Sequence, residues 1–95
     1  MILENPKKYR ILSFARSKNS QKKYDAILEH KETKKLRRIS FGDIHYPQYE
    51  DKVPLQLYKD RNHYDIARRK SYRARHWRDP ANKYSSGWFS WYYLW

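Results

Sequence analysis

Residues 9–41 decide the fold: YRILSFARS (9–17), KNSQK (18–22), KYDAILEH (23–30), KETKK (31–35) and LRRISF (36–41). In the first run Tyr9, Ile11 and Ala15 alternate with Arg10, Leu12, Phe14 and Arg16. In the second, Tyr24, Ala26 and Leu28 share one side and Asp25, Ile27 and Glu29 the other; in the third, Ile39 and Phe41 share a side. A period of two is the mark of a half-buried strand. Polar segments at 17–21 and 31–35 separate the runs. About five residues cannot carry a parallel crossover, so successive strands must pair antiparallel. The expectation is a three-stranded meander over residues 9–17, 23–30 and 36–41. Its core side would carry Leu12, Phe14, Tyr24, Ala26, Leu28, Ile39 and Phe41.

Gly42-Asp43 ends the third strand, and residues 44–57, with Pro47 and Pro54, read as loop or one short helical turn. A helix is expected over residues 62–77, with Asn62 as N-cap, Asp65 at N3 and Asp79-Pro80 beyond its end. At 100° per residue Ile66, Ala67, Lys70, Ala74 and Trp77 form one stripe, bordered by Arg73. Arg68, Arg69, Tyr72 and Arg75 cover most of the opposite side. So thin a stripe cannot hold a helix alone, so it is expected to lie on the sheet. The last twelve residues carry no charged side chain, and seven are aromatic. If Ser85 or Ser86 caps a final helical turn, Trp88, Trp91, Tyr92 and Trp95 share one face. Trp88, Trp91 and Trp95 should then be mostly buried, in the domain or at an interface. The fold class is α+β, a meander followed by a basic helix and a short aromatic helical segment, in one small domain over residues 1–95.

Composition limits the function. The 22 Lys and Arg outnumber 10 Asp and Glu, for a net charge of +12, and each half of the chain contributes +6. No basic tail is appended to a neutral body; the positive field belongs to the folded domain and draws polyanions or acidic protein faces. Leu, Ile, Val and Phe supply only 17 of 95 residues, below the roughly one-fifth that separates foldable from disordered chains at high charge. The 17 aromatic residues offset this, since each ring buries roughly 150–250 Å². There is no cysteine, which removes disulfides and thiolate chemistry. Met1-Ile2-Leu3 leads into Glu4, Asn5 and Pro6 without an apolar leader segment, and no run approaches the length of a membrane span.

The densest local signal is Arg68-Arg69-Lys70-Ser71-Tyr72-Arg73-Ala74-Arg75-His76. Arginines clasp phosphate or carboxylate bidentately, and interleaved rings stack on bases or on guanidinium planes. Three readings stay open: nucleic acid, a partner protein, or a solvated face. Arg68, Arg69, Lys70, Tyr72, Arg73, Arg75 and His76 are the candidate partner- or polyanion-binding residues. Trp88, Phe89, Trp91, Tyr92 and Trp95 are candidate aromatic anchors. Catalytic patterns are weak. His30, His45, His63 and His76 are scattered, Asp43-x-His45 is unspecific, and Gly42 and Gly87 are the only glycines, so no phosphate-cradling loop exists. No catalytic residue, cofactor or metal is expected.

The segments around Lys23–Leu28, Ile39–Asp43 and Tyr46–Asp51, with Tyr72-x-Ala74-Arg75-His76 and the closing Trp91-x-x-x-Trp95, together resemble a family of small basic proteins of large DNA viruses, notably algal and giant viruses. The resemblance covers most of the chain. It implies a virion-associated setting and no catalytic residues. The expectation is therefore a non-enzymatic minor capsid-associated protein bridging capsid subunits, made in the host cytoplasm or nucleus and located in the virion. The alternative is a nucleic-acid-binding module acting on the viral genome or transcripts.

Overall fold

A computed structural model describes residues 5–95; the Met1–Glu4 start lies outside the described residues. Three strands form one antiparallel sheet in the order β1 (Tyr9–Arg16), β2 (Lys22–His30), β3 (Leu36–Asp43). Two helices follow, α1 (Ile66–Arg75) and α2 (Ser86–Tyr93), with short 3-10 turns at Pro6–Lys8, Lys59–Arg61 and Asp79–Ala81. The architecture is the expected α+β meander.

Both turns close through local polar side chains. Asn19 Oδ1 accepts from Gln21 N at 2.9 Å, and Ser17 Oγ accepts from Asn19 N at 3.0 Å. His30 Nδ1 faces both Glu32 N and Thr33 N at 3.2 Å, and Lys34 takes a left-handed φ of 64° to complete the second turn. Pairing brings Tyr24 opposite Phe41 and Ala26 opposite Ile39. On the β1 side Ile11 pairs with Leu28 and Phe14 with Ala26, with a register shift between Ile11 and Ser13. That shift corrects one core assignment. Leu12 is the extra residue of a bulge and stands 45% exposed, so Tyr9 and Ile11 face the core before the bulge and Phe14 after it. A bulge inverts the alternation beyond it, which a strict period of two cannot anticipate.

The core is a ring column. Tyr24, Phe41, Phe89 and Tyr84 lie near-parallel in succession, with centroids 5.8, 5.3 and 5.8 Å apart. Phe14 meets Phe41 and Phe89 edge-on, and Ala26, Leu28, Ile39, Val53 and Leu94 fill the spaces between. Such offset and edge-to-face arrangements suit the aromatic quadrupole. The helix over the sheet is therefore α2, packed on β3, and not α1. Phe89 and Tyr93 bring more apolar area to the sheet than the alanines and lysine of the α1 stripe can. α2 is capped as expected, Ser85 Oγ accepting from Trp88 N at 3.1 Å. Gly42, at φ 79°, occupies the left-handed region where Leu94 Cδ1 comes within 2.8 Å of where a Cβ would stand. That position can be neither branched nor bulky.

On the opposite side of β2, Asp25 is buried and accepts from Ser17 Oγ and Ser40 Oγ at 2.6 Å each, Arg38 Nε at 3.0 Å and Lys18 N at 3.2 Å. Burial acts to raise its pKa, but the hydrogen bonds from Ser17, Ser40, Arg38 and Lys18 outweigh it and hold the carboxyl below its usual range.

Two outcomes follow for stability. Phe89→Ala should cost about 3–5 kcal/mol, as for other buried Phe truncations, read from urea or thermal unfolding. Asp25 binds its proton less readily folded than unfolded. Its contribution is thus complete above the ordinary carboxylate value near ~3.9 and is lost as the pH falls through its lower folded value. Asp25→Asn should accordingly flatten part of the acid loss of Tm below about pH 4; an unchanged acid profile counts against this role.

Candidate functional site

The basic helix starts three residues later than its sequence signals suggest. Its N-cap is Asp65, whose Oδ1 accepts from Ala67 N at 2.9 Å and Arg68 N at 3.2 Å. Asn62 is drawn away by the loop: its Oδ1 accepts from Asp51 N and from Gln48 Nε2, both at 2.7 Å. The helix ends at Arg75, and Trp77 lies beyond it.

The face that α1 turns inward is the cationic one, contrary to the expected stripe. Arg69, Tyr72, Arg73 and His76 are half-buried, at the i, i+3, i+4, i+7 spacing of one face. Arg69 Nε donates to the Trp95 main-chain oxygen at 2.7 Å and Arg73 Nη2 to the same oxygen at 3.2 Å. The Arg69 guanidinium lies 4.7 Å from the Tyr49 ring centroid and that of Arg73 4.7 Å from Trp91. Tyr72 is sandwiched between Trp95 at 4.3 Å and His76 at 4.2 Å, with interplanar angles of 5° and 20°. His76 Nδ1 in turn meets Asp79 Oδ2 at 3.1 Å. Burial, more than the nearby Asp79, pushes the Tyr72 phenol up to about 12.

The predicted residues thus divide into three groups. Arg69, Tyr72, Arg73, His76, Trp91 and Trp95 form one cation–aromatic lock between α1 and the C-terminal segment. Phe89 belongs to the core, while Trp88 packs edge-on to Tyr84 and Phe89 and borders Tyr92, which is exposed. Trp88, Trp91 and Trp95 are half-buried rather than buried, and they do not share one environment. Arg68, Lys70 and Arg75 are exposed, as is the whole predicted apolar stripe, with Ile66 at 61% and Trp77 at 64%. Arg68 makes only a loose 3.8 Å pair with Asp65.

Several contributors lie outside the sequence reading. Tyr49 supplies the ring under Arg69. Glu50 N and Lys52 N donate to Leu94 O and Tyr93 O at 3.1 and 2.9 Å, stitching the loop to the C-terminal segment. His63 lies beside Trp95, with centroids 5.3 Å apart. Its Nδ1 accepts from Asp65 N at 2.9 Å, so the ring hydrogen sits on Nε2, which is buried without a partner. Burial, reinforced by Arg68 against the pull of Asp65, lowers its pKa and favours the neutral ring. Between α1 and the Gly42 end of the sheet opens a cleft of about 750 Å³. Lys22 and Lys23 of β2 stand on one wall, Arg68 and Arg75 of α1 on the other, with His63 and Trp95 also lining it. Among the described residues no three His, Asp or Glu side chains come together as a metal-holding group, and no helix is long and apolar enough to cross a membrane.

The inward and outward arginines should respond differently to truncation. Arg73→Ala removes a hydrogen bond and a cation–π contact, and should lower stability by about 1–2 kcal/mol. Arg75→Ala, on an exposed position, should stay within about 0.5 kcal/mol of wild type. Paired denaturant titrations decide this; equal effects would show that the lock carries no stability.

The chain matches no protein-family model, no curated protein and no solved structure, so no residue's role is carried over from a relative.

Proposed function

We propose that this chain is a non-enzymatic minor structural protein of a large DNA virus, seated between neighbouring capsid subunits in the virion. The observation that carries the reading is the outward orientation of α1. Ile66, Ala67, Ala74 and Trp77 all face solvent, flanked by the exposed cations Arg68, Lys70 and Arg75. A helix that turns Arg69 and Arg73 inward and exposes its apolar stripe has its hydrophobic side chains available to a partner. Exposed Trp beside Arg is the composition of an interface hot spot. With a net charge of +12, the partner surface that fits is apolar at its centre and acidic around it.

The histidines support a non-enzymatic role. His30 holds the turn amides of Glu32 and Thr33, His45 is tied to Asp43, His63 to the amide of Asp65, and His76 to Asp79. Each serves local structure, and none is joined to a nucleophilic side chain.

The test is incorporation into particles. Ile66→Glu with Trp77→Glu alters only exposed positions and should leave Tm within a few degrees of wild type. It should lower the copies retained per purified particle by at least about tenfold, the loss expected when hot-spot contacts are removed. The wild-type chain should stay with the shell after nuclease digestion of the genome. Normal incorporation of the double variant, or release of the wild-type chain together with digested nucleic acid, would overturn the reading; the second result would favour a genome-binding module.

A further inference from the structure

The cleft between α1 and the Gly42 end of the sheet holds a feature that neither the fold nor the docking face of α1 uses. Lys23 is 2% exposed, yet its ammonium makes a single hydrogen bond, Nζ to Tyr46 O at 2.6 Å. An ammonium has three donors, and an enclosed cation without a bonded counter-charge is costly. Burial and the nearby Arg61 lower the Lys23 pKa to about 8, against a partial offset from Asp43 and Asp51. The one acidic side chain lining the cleft among the described residues, Asp43, is already engaged by His45 through both its backbone N–H and its ring, each at 2.9 Å. Arg75 has no ion pair among the described residues. The His63 Nε2 hydrogen has no acceptor. Lys22, Lys23, Arg68 and Arg75 thus face a single acidic side chain, Asp43, in this lining.

We propose that this cleft binds a small organic phosphate of nucleotide size, its phosphate oxygens held between Lys23 on the sheet wall and Arg68 and Arg75 on the helix wall. Phosphate suits the site better than a single carboxylate. The cleft offers the ammonium of Lys23, two guanidiniums and the hydroxyls of Ser71 and Ser86, more donors than one carboxylate's two oxygens can accept. An organic body is favoured by the rest of the lining: Pro47, Ala67, Leu94 and Trp95 are apolar, and the exposed Tyr46 ring at the rim has no aromatic neighbour among the described residues. The volume falls within the range of about 300–1,000 Å³ typical of small-molecule sites. The site borders the docking face of the capsid reading, sharing Ala67, Arg68 and Arg75 with its flank, but Ile66 and Trp77 do not line it, so the two readings are tested by different variants.

Calorimetric titration of the full chain at about 150 mM salt, where non-specific attraction to a basic protein is screened, tests the proposal with ATP, inorganic tripolyphosphate and adenosine as separate probes. ATP should bind saturably, one per chain, with a Kd below about 1 mM. Tripolyphosphate should bind several-fold more weakly and adenosine not measurably. Arg75→Ala, which is exposed and should fold normally, should weaken ATP roughly tenfold or more. Lys23→Met should do the same wherever its Tm shows it folded. Lys31→Ala, at the far end of β2, controls for bulk charge and should leave binding unchanged. Absence of saturable ATP binding, equal loss in Lys31→Ala and Arg75→Ala, or tripolyphosphate binding as tight as ATP would each overturn it.

Discussion

The Asp51 carboxylate is the point on which the second half of the molecule depends. It is buried against the core, where its Oδ2 accepts from the Tyr24 hydroxyl and from Tyr58 N at 3.1 Å, and its Oδ1 from Val53 N at 3.0 Å. The Tyr24 hydroxyl in turn accepts from Leu57 N at 2.8 Å. Burial, then the hydrogen bond and charge of Asp51, push the Tyr24 phenol upward, so it stays a donor. Through these bonds a proline-bearing segment without regular structure becomes part of the sheet's core face. Because a buried backbone amide without an acceptor costs about 1–3 kcal/mol, one carboxylate that serves two of them fixes the loop's path. That path puts Tyr49 under Arg69, Glu50 and Lys52 against the C-terminal segment, and Asn62 over Asp51 and Gln48.

What was legible in the sequence follows from which interactions are local. The three strands and both turns were readable because alternation and turn chemistry are encoded within a few residues. The Leu12 bulge was not, because the register shift is visible only across β1 and β2. Asn62 and Asp65 are both good caps by type, and local rules prefer the first. The loop decides otherwise by using Asn62 Oδ1 as a buried acceptor for Asp51 and Gln48. The aromatic end was legible as a packing element but not in its division of labour. Helical spacing groups Trp88 with Trp91 and Trp95, whereas the sheet takes Phe89 and Tyr93, which lie between them. Asp51 itself gave no signal, since a buried acid in a polar loop looks like any solvated one.

The inverted orientation of α1 has a physical origin in composition. A chain with so few aliphatic side chains and so many cations cannot build every contact from hydrocarbon. Guanidinium planes substitute for it here. Arg69 over Tyr49 and Arg73 over Trp91 place flat, weakly hydrated cations against π faces, and their N–H groups reach the Trp95 oxygen. Tyr72 between Trp95 and His76 extends the same layer of stacked rings. Once Arg69, Tyr72 and Arg73 occupy the inner face, helical geometry puts Ala67, Lys70 and Ala74 outward, and Ile66 and Trp77 at and beyond the helix ends are left exposed as well. The exposed stripe is thus a consequence of the lock, and an apolar face left in water by such a constraint is one that a partner gains most by covering.

The same constraint sets the electrostatic state of the free chain. Arg69 and Arg73 share one oxygen acceptor, burial and then Arg69 lower the Arg73 pKa, and Lys52 is lowered by burial and by the same two arginines. Lys23 is lowered by burial and Arg61 in the neighbouring cleft. Burial is the larger cause in each case, and neighbouring cations add to it. An anionic surface or ligand that approaches α1 meets a cation cluster that only the folded state assembles. Binding and stability are therefore coupled through one element by mass action. The arginines that lock α1 to the C-terminal segment also contribute to the positive field around its outer face.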